Sequence, residues 1–323
     1  GVNANYFSRQ RFASLEEMAH HVREWDVAFR PMAADGSATE LTQGRLGPLM
    51  ISHLSTGCRH LHDGASPPGV HTFALLADTA QTVRWCGQLL DGARMPYFQP
   101  GQDFSASADP RFSVYTLSVD PAWLEGQPSW ARFHEESGRR RLLAGGDGRA
   151  ASGLRRAVSL ALDSFARASL VGKGGDGLES RIADDVLFHL AAVIEDASPV
   201  RETVPAGVRA RAAREAAAYI RARQREALSA AELCTVAKVS ERTLRRAFLE
   251  HFGMTPRAYH AALKLNGARN ELLRYARSEA AVRDVANRWG FWHLGQFARD
   301  YRRFFGELPS QTLAKGRGRR PTR

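Results

Sequence analysis

The sequence predicts an α+β protein of two domains: an N-terminal antiparallel β-barrel with a pair of helices, and an all-α C-terminal domain. Three observations carry that prediction. From Phe29 to about Val119, short apolar or alternating runs are broken by clusters of Gly, Pro, Asp and Ser, the texture of many short strands joined by tight turns. Beyond Arg209, apolar residues recur at helical spacing instead. Charge divides the chain at the same place: residues 209–323 carry 25 Lys and Arg against 10 Asp and Glu, a net of +15, whereas residues 1–208 carry 20 against 24, a net of −4. A positive field confined to one helical domain points to a polyanionic partner, nucleic acid ahead of membrane. A length of 323 residues with 44% hydrophobic content is enough for two cored domains.

Taken in order, residues 1–12 show no periodicity and read as a loosely held arm. Ser14 and Glu17 fit a capping box, and Leu15, Met18, Val22 and Trp25 follow at helical spacing, which predicts a helix from 15 to about 26. The strand-like runs are LMISHL (49–54), HTFALLA (71–77), TVRWCGQLL (82–90), ARMPYF (93–98) and RFSVYTLSV (111–119). Two amphipathic helices follow, over 154–170 and 180–197, joined by the glycine-rich VGKGGDG. They could pack as an antiparallel pair on the barrel or against the same helices of a second chain. These elements make up a first domain, 1–200, after which Pro199, Pro205 and Gly207 mark a linker over 201–208.

The C-terminal domain, 209–314, reads as helices over 209–223, 229–237, 241–252, 256–274, 281–289 and 293–305, and a basic tail, 315–323, is expected to be disordered. Ser240 caps the third helix, Pro256 opens the fourth, Gly253 and Gly306 end the third and the last, and Pro309 stops the pattern. The domain also repeats itself. FGMTP (252–256) matches FGELP (305–309), and Leu244, Arg246 and Phe248 match Phe297, Arg299 and Tyr301, all 53 residues apart. Upstream, Leu233 and Cys234 match Val285 and Ala286 at a spacing of 52, so the second turn is one residue longer. Each copy has helix-turn-helix punctuation.

Two such units on one long helix, with LCTVAKVSERTLRRAF, FGMTPRAY, the RNE run and DVANRWGFWHLGQFARDYRRFFGELPSQTL, resemble the DNA-binding domain of the AraC/XylS family of bacterial transcription regulators over about 209–314. The last run also looks similar to the ethanolamine-utilisation regulator subgroup. The resemblance implies a cupin-like N-terminal barrel that senses a small metabolite, such as an amine or amino alcohol, with dimerisation there. It further implies double-stranded DNA as partner, activation of a catabolic operon with RNA polymerase, and a cytoplasmic location. Carried onto this chain, the first recognition helix would present Arg242, Arg245 and Arg246, and the second His293, Gly295, Gln296 and Arg299. Arg can fork onto guanine O6 and N7, and Gln onto adenine N6 and N7. Gly295 has no side chain to offer, and His293 stands where the family usually has a Ser cap, so it could meet a phosphate instead. Trp289, Phe291, Phe297 and Tyr301 fall on the apolar stripe and read as core.

Two rival functions are weighed. A DNA-repair methyl acceptor fused to a similar domain needs a cysteine metal cluster and a PCHR-like reactive thiol, and Cys58, Cys86 and Cys234 have neither context. An architectural DNA binder without a ligand would leave the acidic N-terminal module without a role. No enzyme and no cofactor is expected. His60, His62 and His71 invite a metal reading, but no Glu follows at a suitable spacing to complete a set. GKGGDG (172–177) lacks the phosphate-cradling arrangement and reads as a linker. The three cysteines form no CxxC pair, and no run of about 18 apolar residues is present to span a bilayer, which fits a soluble protein of the reducing cytoplasm. A ligand pocket is expected inside the strand-rich module, with Phe73, Trp85, Arg94, Tyr97 and Tyr115 as candidates beside Arg84 and Phe98.

Overall fold

The computed structural model describes residues 6–32, 38–81, 83–137, 142–145, 148–171, 176–199, 207–274 and 281–316. The N-terminal elements are β1 (Tyr6–Phe12), α1 (Leu15–Ala19), β2 (Asp26–Pro31), β3 (Thr39–Leu46), β4 (Leu49–Thr56), β5 (His60–Ala65), β6 (His71–Leu76), β7 (Val83–Trp85), β8 (Gln88–Leu90), β9 (Arg94–Phe98), β10 (Asp103–Ala108) and β11 (Phe112–Val119). They continue with α2 (Pro121–Glu125), α3 (Trp130–Ser137), β12 (Leu142–Gly145), α4 (Arg149–Val171), α5 (Asp176–Asp196) and β13 (Ala197–Pro199). The helical part comprises α6 (Val208–Ala222), α7 (Ala230–Ala237), α8 (Glu241–Phe252), α9 (Pro256–Arg274), α10 (Ala281–Arg288), α11 (Leu294–Phe305) and α12 (Pro309–Lys315). The chain divides into two compact units, one holding most of the sheet and α1–α5, the other holding α6–α12.

The fold class is α+β, as expected. The strands of the first unit pair into two sheets, one in the order β1-β3-β4-β11-β6-β9-β12-β13 and one in the order β2-β5-β10-β7-β8. The pairings among the described residues fall into two sheets; the strand texture allowed a sandwich or a barrel, and closure into a barrel is not among these pairings. Central strands of the large sheet are apolar on both sides because both sides are covered. On β6, Phe73 and Leu75 join the core under α2–α5, while Ala74 and Leu76 join the core shared with the small sheet. The same parity splits Tyr115, Leu117 and Val119 from Phe112 and Val114 on β11. Arg155 of α4 ties that helix to the sheet by donating to the Leu76 carbonyl at 2.8 Å and the Gly92 carbonyl at 2.7 Å.

Three expectations need correction here. The arm expected over residues 1–12 is strand β1 from Tyr6 onward, paired with β3 in the register Gln10↔Leu41. It is a polar edge strand held by cross-strand ion pairs, Arg9 and Arg11 meeting Glu40 at 2.7 and 3.0 Å, so it carries no apolar alternation to detect. The first helix ends at Ala19 rather than near 26. Glu24 takes a φ of 65° and Trp25 is drawn onto Phe98 and Phe104, edge to face at 5.6 Å each, so tertiary packing overrides the helical spacing. Pro309, beyond the expected end of α11, also opens α12 at its first turn. Lys315, expected in the tail, is the last residue of that helix. The Gly-rich stretch 172–175, the linker up to 206 and the tail beyond 316 lie outside the described residues.

In the helical unit the repeat becomes a shared helix. The first copy is α6–α9 and the second α9–α12, so α9 closes one and opens the other. Ala216 and Ile220 of α6 are buried against α7 and α8, and Ala268 and Leu272 of α9, 52 residues on, are buried against α10 and α11. Trp289, at the end of α10, lies so close to α9 that a Cβ on Gly267 would come within 1.9 Å of its ring. Its Nε1 donates to Glu271 of α9 at 2.7 Å. Gly267→Ala should therefore destabilise the helical unit by roughly 3 kcal/mol, the upper range for overpacking a core, despite the better helix propensity of Ala. Chemical denaturation of the variant and the parent measures this, and an unchanged midpoint would contradict the packing.

Candidate nucleic-acid interface

Each recognition helix is set by its caps. Ser229 Oγ accepts from Glu232 N at 3.1 Å to start α7, and Ser240 Oγ accepts from Thr243 N at 3.3 Å to start α8. Between them Lys238 is left-handed at φ 53°, and Val239 N donates to the Cys234 carbonyl at 3.2 Å. The second turn copies this at the spacing of 52, with Gly290 at φ 67° and Phe291 N donating to the Ala286 carbonyl at 2.8 Å. The caps His293 and Ser240 are 53 apart, so the extra residue of the second turn is Trp292. It is 75% exposed.

The buried faces are Leu244, Ala247, Phe248, His251 and Phe252 on α8, and Phe297 and Tyr301 on α11. This leaves Arg242, Arg245 and Arg246 exposed on α8, and His293, Gly295, Gln296 and Arg299 exposed at or on the N-terminal half of α11. Every residue expected to meet DNA therefore lies on the outer face of its own helix-turn-helix. They are not equivalent. Arg242 and Arg245 make no hydrogen bond or ion pair among the described residues. Arg246 donates to Glu250 at 2.9 Å, and Glu250 also accepts from Arg209 at 2.8 Å. Burial would raise the Glu250 carboxyl, but hydrogen bonds from Arg246 and Arg209 outweigh it and hold it below the usual carboxylate range. Arg299 and Gln296 bond each other, Nη2 to Oε1 at 2.8 Å, which pre-sets the pair as one fork. His293 makes no side-chain cap bond, and a Cβ on Gly295 would meet nothing within 4 Å.

Behind the second copy stands an ion-pair cluster on Glu307. It accepts from Arg269 of α9 at 2.7 Å and from Thr312 of α12 at 2.7 Å, and it is also bonded to Lys315. Tyr301 of α11 donates to Thr312 at 2.8 Å, so one carboxylate links three helices. Burial opposes ionisation of Glu307, but the Lys315 and Thr312 hydrogen bonds and the Arg269 charge win, and its carboxyl titrates below the usual range.

The groups in the strand-rich part of the chain that invited chemical readings are occupied in packing. His60 Nδ1 bonds the Cys58 carbonyl at 2.9 Å, and burial lowers its pKa to about 4. His62 stacks on Phe29 at 5.5 Å, and His71 Nδ1 bonds Tyr97 Oη at 2.8 Å. Among the described residues no three His, Cys, Asp or Glu side chains group as a metal set. Of the five ligand candidates, Phe73, Tyr97 and Tyr115 lie in the core under the helices. Arg94 donates to the Leu89 carbonyl at 3.2 Å on the surface. Trp85, and Phe98 named beside the five, line a cavity between the sheets. Sequence reading missed Trp25, His62 and Phe104 in that wall, and it missed Trp292; the one-residue difference between the two turns was the available signal for the latter.

Two helix-turn-helix units, each with an arginine-bearing outer helix, on a common helix define a DNA-binding module. Residues 233–315 match the family described as "Helix-turn-helix domain". A "Probable thc operon regulatory protein" of Rhodococcus erythropolis is 35% identical over 95 residues, 29% of this chain and 29% of that protein. The "XylDLEGF operon transcriptional activator" of Pseudomonas putida is 40% identical over 86 residues, 27% of each. The chain thus aligns with less than a third of the length of these relatives. A solved structure, that of a probable AraC family transcriptional regulator from Rhodopseudomonas palustris, is 36% identical, covers 33% of this chain and 97% of its own, and gives a TM-score of 0.31. Residues 233–315 of the C-terminal domain therefore form a helix-turn-helix domain. No helix among the described residues is long and apolar enough to cross a membrane.

Two outcomes follow from this geometry. Glu307→Gln should cost roughly 2 kcal/mol at neutral pH, the loss of charged hydrogen bonds. Because the folded carboxyl titrates below its unfolded value, the parent's extra stability is present above the unfolded pKa and disappears as pH falls through the folded one. The parent and variant unfolding midpoints should therefore converge in acid, and a gap that persists at low pH would contradict the ionic role. Trp292→Ala should leave thermal stability unchanged, since the ring is exposed, while weakening duplex DNA binding by about 1 kcal/mol or more. Equal DNA affinity of variant and parent would remove Trp292 from the interface.

Proposed function

We propose that this chain is a sequence-specific DNA-binding transcriptional regulator, an activator of a catabolic operon that responds to a small molecule. The observation that carries the reading is the exposed arginine set on two recognition helices mounted on one strut. The two helices would enter successive major-groove faces about one helical turn, roughly 34 Å, apart. Arg242, Arg246 and Arg299 read base edges, with Arg245 and Gln296 in support, and His293 meets a phosphate. The basic balance of the C-terminal third supports the same reading. Named relatives of this domain regulate operons, one of them as an activator, which supports action through RNA polymerase in the cytoplasm and no catalytic role. The methyl-acceptor alternative gains no support from Cys234, whose thiol burial pushes up, away from reactivity.

The sheet unit would sense the effector, and the chain would act as a homodimer. Phe188, Leu160 and Leu178 stand 71%, 54% and 40% exposed on α4 and α5, apolar surface that a second copy would cover. The ligand subgroup suggested by the sequence, amines and amino alcohols, is one candidate class for the effector.

The test is selection of bound sequences from random duplexes followed by titration. Arg246→Ala and Arg299→Ala should each lower specific affinity by roughly 1–3 kcal/mol and relax the preference at one base position. Affinity of the parent should fall steeply with salt, and the mass of the complex should correspond to two chains per site. An unaltered sequence preference in both variants, or a flat salt response, would refute the reading; one chain per site would refute the dimer.

A further inference from the structure

The cavity between the two sheets is walled by Trp25, Phe29, His62, Trp85, Phe98 and Phe104 together with aliphatic side chains. About 90 Å³ of it is reachable by the centre of a water-sized sphere, room for several waters and hence for a molecule of about one ring. None of the described residues that line it is Asp, Glu, Lys or Arg. An ammonium group would find no carboxylate here and a carboxylate no guanidinium, and the imidazole of the wall, His62, lies against Phe29, Phe104 and Phe112, so desolvation would penalise either ion. The rings of the aromatic wall also pack on one another. Trp25 meets Phe98 and Phe104 edge to face at 5.6 Å each, Phe98 meets Phe104 at 5.4 Å, and Trp85 meets Phe98 at 5.5 Å.

The polar atoms in the wall narrow the ligand further. The Ser52 and Thr116 hydroxyls bond each other at 2.5 Å. Trp85 is different: it is only 3% exposed, and its Nε1 is buried with no hydrogen-bond partner among the described residues. An indole N–H can only donate, so what it lacks is an acceptor. We propose that the effector of this regulator is an uncharged, largely apolar molecule of about one ring carrying a carbonyl-type acceptor, which takes the hydrogen bond of Trp85 Nε1. This rests on the sensory role given to the sheet unit, and it replaces amines and amino alcohols by a neutral class.

The experiment uses the full chain and four one-ring probes, acetophenone, toluene, benzylamine and benzoate, with affinities from calorimetry. Acetophenone should bind about fivefold more tightly than toluene, the size of one net hydrogen bond, and benzylamine and benzoate at least about tenfold more weakly than acetophenone. Trp85→Phe keeps an apolar ring but removes the donor; it should bring acetophenone down to the toluene affinity and leave toluene unchanged. Ala106, which lines the cavity and pairs with Trp85 across β10 and β7, offers a second variant: Ala106→Leu should fill the space and abolish binding of all probes. The proposal is overturned if benzylamine or benzoate binds as well as acetophenone, if none of the four binds, if folded Trp85→Phe keeps the preference for acetophenone, or if Ala106→Leu binds as the parent does. DNA affinity is measured on the same preparations. Retained DNA binding with failed probe binding refutes the ligand class alone, and failed DNA binding with retained probe binding refutes the regulator reading alone.

Discussion

The helical unit depends on the contact between Trp289 and the bare backbone of α9 at Gly267. A side chain at 267 would push the indole away, since even a Cβ would come within 1.9 Å of it. The indole is then fixed in direction as well as position, by Nε1–H to Glu271 at 2.7 Å and by the Arg225 guanidinium 4.8 Å from its ring centroid. Glu271 is itself held by Arg288 at 3.0 Å. Since α9 packs the first copy through Tyr259, Ala262 and Leu263 and the second through Leu265, Ala268 and Leu272, one helix sets the positions of both recognition helices. A glycine inside a helix costs about 1 kcal/mol of propensity. Burial of a whole indole in a defined orientation outweighs that.

The two copies are built alike but finished differently. Where the first has Met254 behind its recognition helix, the second has Glu307, bonded to Arg269 and Thr312 at 2.7 Å each. The first copy keeps Arg242 and Arg245 free of partners among the described residues, whereas the second offers Gly295, an unbonded His293 and the added Trp292. Long guanidinium side chains favour direct base readout, while a glycine with open space around it lets a backbone approach closely. In the proposed regulator the first copy would therefore be the better reader of base edges. The second is suited to approach and contact by shape and ring surface, with the Arg299–Gln296 fork as its base-reading element.

The helical unit was legible because its signals are local. Ser caps, the left-handed Gly253 and Gly306, the 53-residue repeat and the apolar stripes each depend on neighbours within a few positions, and the helix ends agree within one or two residues. What escaped was set by distant residues. Strand β1 owes its existence to pairing with β3 rather than to its own pattern, and α1 stops early because Trp25 belongs to the sheet core. The ligand wall failed for a related reason. HTFALL is buried at every position and apolar from Phe73 to Leu76, so nothing in it says that Phe73 and Leu75 join the core under the helices while Ala74 and Leu76 join the core on the cavity side. Parity of that kind is fixed by the strands alongside, and only Trp85 among the five candidates fell on the cavity side.

That parity also bears on how much a ligand could do. An apolar one-ring molecule entering the cavity removes on the order of 150 Å² of its own surface from water, a gross gain of about 4 kcal/mol. Some of that is spent on lost translational freedom and on ordering the wall. Regulation asks for less than the remainder at full strength: a coupling of about 1–3 kcal/mol changes a second site's affinity 5- to 150-fold. The ligand must bind the two states of the sensor unequally to transmit any of it. The cavity wall has the means for that inequality. It includes β7 and β8, three residues each, joined through Cys86 at φ 48° and Gly87 at φ 82° at the edge of the small sheet, and Trp85 is the last residue before that turn. A short edge hairpin has few ladder bonds to hold it in place. A hydrogen bond to Trp85 would thus be made beside this short hairpin, where an added contact could bias one arrangement of the wall over another.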